Sequence, residues 1–81
     1  MANLTKNELS KNLESLRGAI NFSQSDNGYW NKSRYAEIIS KHARTLMTSL
    51  EMPLTKGAQS IVLDCESQID RATSAVEWLN A

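Results

Sequence analysis

His42 and Cys65 are the only histidine and the only cysteine in the chain. They are also the pair whose side chains could do chemistry together. An imidazole beside a thiol can take the thiol proton and leave a nucleophilic thiolate. Pro53 lies between them, and a helical hairpin folded about Pro53 would set Cys65 level with Lys41 and His42. Against this, a lone cysteine on an apolar helix face is most often an inert core residue. Nothing nearby in sequence offers an oxyanion hole. The expectation is therefore a protein that is not an enzyme, with no catalytic residue. No cluster of Cys, His or acidic residues has the spacing of a metal site, and no cofactor motif is present.

A second group suits binding. Tyr29, Trp30 and Tyr35 crowd the start of an expected helix, with Lys32 and Arg34 interleaved. The same hairpin places Trp78, near the end of the last helix, beside them, and Phe22 flanks the preceding loop. Aromatic faces, two cations and the unpaired backbone N–H groups of a helix start can hold a planar ligand that carries a phosphate. They can equally anchor a protein partner. The plain structural alternative is a small bundle that seals one end with large side chains. The expected binding residues are Tyr29, Trp30, Lys32, Arg34, Tyr35 and Trp78.

A third group lies on the rear of the last helix. Ser60, Ser67 and Ser74 recur every seven residues, with Leu63 and Trp78 on the same side. Serines on a solvated face are unremarkable. An apolar Leu and Trp beside them suggest a surface for another copy of the chain, so Ser60, Leu63, Ser67, Ser74 and Trp78 are the expected oligomer interface.

Three helices must position these groups. The last, expected over 55–79, carries an apolar stripe at Ala58, Val62, Cys65, Ile69, Ala72, Val76 and Leu79. The alternating spacing of four and three is that of one helix face. Ile61 widens the stripe, Ile69 stands at its centre, and a continuous helix would be roughly 36 Å long. The first helix, over 5–21, opens with Thr5 and Glu8 at capping-box spacing and Leu4 and Leu9 as a hydrophobic staple. Its stripe is Leu9, Leu13, Leu16 and Ile20, with Phe22 off the stripe. Gly18 either weakens this helix by about 1 kcal/mol or marks a close helix contact. Residues 23–28 (SQSDNG) read as a loop. The second helix, over 31–51, has Asn31 as its cap. Its inward residues are Tyr35, Ile38, Ile39, His42, Ala43, Leu46 and Leu50. It must stop before Pro53, because proline disfavours a helical residue ahead of it. Thr55 can cap the last helix.

Length and charge narrow the remaining classes. The 81 residues make one domain. A core this small is marginal without a disulfide or metal, so self-association is expected. Nine basic residues balance nine acidic ones, which argues against nucleic acid as a partner. An acidic last helix also argues against a DNA-reading helix-turn-helix. The charge is unevenly spread. Residues 29–50 carry four cations against one anion, and residues 51–81 five anions against two cations. Neighbouring helices of opposite sign attract, and the asymmetry also permits contacts between copies. No segment is long and apolar enough to span a membrane, and the N-terminus lacks a signal-peptide hydrophobic run. A soluble cytoplasmic protein without membrane association is expected.

The expected fold is all-α: a small antiparallel three-helix bundle, single-domain over 1–81, that self-associates. The expected function is that of a small non-catalytic interaction protein, binding a protein partner as inhibitor or regulator. Short motif-free helical chains are expected among the products of phage and mobile elements, on grounds of size alone. The second reading is an oligomeric small-ligand binder that sequesters a nucleotide-like molecule.

Overall fold

The structure, a computed structural model, describes residues 3–24 and 32–80. The protein is all-α. Four helices succeed one another in these residues: α1 (Lys6–Ser23), α2 (Lys32–Leu50), the short α3 (Lys56–Gln59) and α4 (Val62–Asn80). Thr5 starts α1 as a capping box. Its hydroxyl accepts the backbone N–H of Glu8, and the Glu8 carboxylate accepts from the Thr5 backbone N–H and hydroxyl. Two of the unpaired donors of a helix start are thereby satisfied. Thr55 caps α3 with its hydroxyl alone, accepting from Ala58 N–H at 3.2 Å.

The two helix starts are tied together. Leu4 N–H donates to Pro53 O at 2.9 Å, and Thr55 N–H donates to Leu4 O at 3.0 Å. This single bridge between Leu4 and Leu54 pins the N-terminus to the link after α2. Both leucines pack on the core.

α2 packs against both α1 and α4, and α3 packs on α1. Asn12 of α1 bonds Ser49 near the end of α2, while Phe22 of α1 meets Tyr35 near the start of α2. Positions that advance along α1 therefore meet positions that recede along α2. The whole measures 42 × 19 × 17 Å, so its helices lie side by side along one long axis.

The expected stripe of α1 is buried in full: Leu9, Leu13, Leu16 and Ile20. In α2 the inward face is rotated from the expected one. Ala36, Ile39, Leu46 and Ser49 are buried, whereas Tyr35, Ile38, His42, Ala43 and Leu50 are half-buried. In α4 the buried line is Cys65, Ala72, Ala75 and Leu79. Ile69 is only half-buried, a correction to its expected place at the centre of the stripe. Small alanines let α4 approach its neighbours closely, and the larger Ile69 and Val76 fill the flank.

The largest departure is in the last helix, which is not continuous over 55–79. It breaks at Ser60–Ile61. Ser60 N–H is shared between the carbonyls of Lys56 and Gly57, Ile61 N–H bonds Ala58 O, and the Ser60 hydroxyl donates to Gly57 O at 2.6 Å. Bonds to the third residue back tighten the turn and end α3. Serine favours such local pairing over the helical ladder. A new helix then begins with Ile61 O accepting Cys65 N–H at 3.0 Å. The apolar spacing runs through the break unchanged, so periodicity alone did not reveal it.

Candidate functional site

The surroundings of Cys65 decide its chemistry. A groove of about 350 Å³ is lined by Ser40, Ala43, Arg44 and Met47 of α2 and by Ala72, Thr73, Val76 and Glu77 of α4. Cys65 is wholly buried. Burial raises its thiol pKa above the ordinary value, and the neighbouring Asp64 charge raises it further, while Arg17 opposes. A thiol held protonated in this way is the reverse of an activated nucleophile. His42, by contrast, is only half-buried on α2. Among the described residues, no three His, Cys, Asp or Glu side chains gather to hold a metal ion. No helix among them is long and apolar enough to cross a membrane.

The aromatic end is partly assembled. Phe22 and Tyr35 pack with ring centroids 5.7 Å apart and planes tilted by 41°. Lys32 Nζ sits 5.3 Å from the ring centroid of Trp78, a cation–π distance that joins the first turn of α2 to the last turns of α4. Arg34 is exposed one half-turn further along α2. Phe22 and Trp78 each leave about half their surface open, at 50% and 51%. Tyr29 and Trp30, and the Asn31 cap, lie outside the described residues.

Beside this end runs a groove of about 640 Å³. Its lining is Gln24 from the end of α1 and Ser67, Asp70, Arg71, Ser74, Ala75 and Trp78 from α4. These α4 positions recur at helical spacing, so they form one straight face. Ser67, Ser74 and Trp78, expected from the sequence to be interface residues, are three of them. Ser60 is not: it caps α3, with its hydroxyl turned to Gly57 O. Leu63 continues the same face one turn before Ser67 and, among the described residues, is the most exposed of the large apolar side chains, at 80%.

Arg71 and Asp70 belong to this surface and were missed by reading apolar and small residues alone. Arg71 donates to Gln68 Oε1 at 3.0 Å, Asn21 Oδ1 at 3.2 Å and Gln24 Oε1 at 3.5 Å. These bonds hold its guanidinium in place along the groove and fasten α4 to the end of α1. All three acceptors are neutral amides, so the positive charge has no carboxylate partner among the described residues. The only sequence signal was a basic residue in an otherwise acidic helix. No known protein family, curated protein or solved structure matches this chain.

Proposed function

We propose that this is a small non-catalytic interaction protein that binds a protein partner and acts as an inhibitor or regulator. The supporting observation is Trp78, half exposed and held under Lys32 at the edge of an open groove. A large aromatic that stays half in water beside a cation is the composition of a protein-binding anchor. The scaffold is read as an antiparallel three-helix bundle, in which α3 and α4 together supply the third rod. Such a scaffold holds the anchor on helices rather than on loops.

The test is affinity capture from host lysate with the unmodified protein and with Trp78→Ala and Arg34→Ala, each checked by circular dichroism. A partner held by the unmodified protein and lost from both folded variants supports the reading. Equal capture by all three overturns it.

A second reading rests on the 640 Å³ groove, where the Arg71 guanidinium, two serine hydroxyls and the Trp78 ring share one wall. A nucleotide-like ligand would stack on Trp78, with its phosphate met by Arg71, or by Lys32 and Arg34. Calorimetry against a nucleotide panel at low and high salt separates the two readings. Charge-held phosphate binding weakens with salt.

A further inference from the structure

We propose that the outer face of α4 pairs with the same face of a second copy, antiparallel, about a two-fold axis at the Asp70–Arg71 peptide bond. The exposed positions of this face are symmetric about that bond. Leu63 and Trp78 are equally far from it, as are Ser67 and Ser74, and Asp70 and Arg71 flank it. A two-fold axis there sets Leu63 of one copy level with Trp78 of the other, at both ends of the contact. It sets Ser67 level with Ser74, and Asp70 level with Arg71. An isologous interface requires this self-complementarity, since each position meets its image.

Charge and exposure both select a second copy as occupant. Asp70 and Arg71 have no ion-pair partner within their own chain among the described residues. Adjacent in one helix, they meet in reciprocal pairs at the crossing of two antiparallel helices. The three amide acceptors of Arg71 already hold it in position, so less side-chain freedom is lost on pairing. Small serines on either side of the crossing let the helices approach and leave room for the charged groups. Leu63 and Trp78, the most water-exposed large apolar side chains of α4, cover each other at the ends. Lys32, Arg34 and Tyr35 stay on the rim, whereas the Trp78 ring is shared, so pairing of two copies and partner binding at the aromatic end compete for it.

The paired face is roughly 22 Å long at the helical rise and one helix wide. That is less than the roughly 800 Å² per partner of a standard interface, so the dimer forms at micromolar concentrations and above. Sedimentation equilibrium up to ~500 μM, a range that covers weak association, should give a dimer for the unmodified protein. Asp70→Arg should weaken it at least tenfold, as should Arg71→Glu. The double change should restore it to within a few-fold, since the pair is then only reversed. A monomer throughout overturns the proposal, and so does an unimpaired folded single variant or a folded double variant that stays dissociated.

Disulfide trapping gives a readout that does not depend on the charge variants folding. In a mixture of Ser67→Cys and Ser74→Cys chains, the mixed disulfide should dominate. The like pairs lie seven residues apart along the contact, roughly 10 Å at the helical rise and beyond the ~7 Å Cα reach of a disulfide. The natural Cys65 is wholly buried and does not compete. Like-with-like disulfides, or none, overturn the antiparallel pairing.

Discussion

Leu4 and Leu54 are joined by a two-bond backbone bridge, and the residue after each of them caps a helix. Thr5 opens α1 and Thr55 opens α3, so two helix starts share one support. Thr55→Ala should cost about 1 kcal/mol, the usual value of a lost threonine cap. Thr5→Ala should cost at least as much, because the bond that the hydroxyl donates to the Glu8 carboxylate goes as well. Urea denaturation would show both as a lowered midpoint with an unchanged slope.

Glu8 makes stability depend on acid. Hydrogen bonds from the Thr5 backbone, and then from its side chain, hold the carboxyl below its ordinary pKa. A carboxyl with a depressed folded-state pKa contributes its stability above the unfolded-state value, and loses it as pH falls through the folded-state value. Glu8→Gln should therefore flatten the acid limb of a plot of melting temperature against pH below neutrality. An acid limb identical to that of the unmodified protein would show that the box does not persist in solution.

Gly18 and Gly57 should respond differently to alanine. A Cβ at Gly18 would meet nothing within 4 Å, so Gly18 is not a close helix contact, and Gly18→Ala should raise stability by about 1 kcal/mol. A Cβ at Gly57 would stand 3.3 Å from Lys6 Cβ, where α3 approaches the start of α1. Gly57→Ala should give little or no gain. Thermal melts of the two variants side by side decide the point.

The core ranks its residues by burial. Leu16→Ala and Ile39→Ala remove wholly buried side chains and should each cost roughly 2–5 kcal/mol. Ile69→Ala, on the half-buried flank of α4, should cost clearly less. Chemical denaturation that gave Ile69→Ala the largest loss would contradict the rotation of α4 that turns Ala72 and Ala75 inward.

Cys65 should be unreactive while the protein is folded. Burial first, and the Asp64 charge second, keep its thiol protonated. A thiol reagent at neutral pH should therefore label it only as fast as the chain opens, and denaturant should make labelling immediate. A small reagent should label it no faster than a bulky one, because access through chain opening, and not thiol activation, sets the rate.

Local residue chemistry was enough to foresee the first two helices, the Thr5–Glu8 capping box, the Thr55 cap and the buried line of α1. Each depends on residues within a few positions of one another, where spacing and turn geometry leave few choices. The exposed line of Leu63, Ser67, Ser74 and Trp78 was legible for the same reason, since helical spacing places those residues on one face. What only the tertiary structure decided was register and rotation. The break at Ser60–Ile61 preserves the apolar period, so the sequence pattern is the same with or without it, yet it ends one helix and starts another. Which of two nearby apolar residues turns inward, Ala36 or Tyr35 and Ala75 or Ile69, depends on how closely the neighbouring helix approaches. The role of Arg71 as the clasp between α4 and the end of α1 depends on Asn21 and Gln24, about fifty residues earlier in the chain, and no local pattern encodes that meeting.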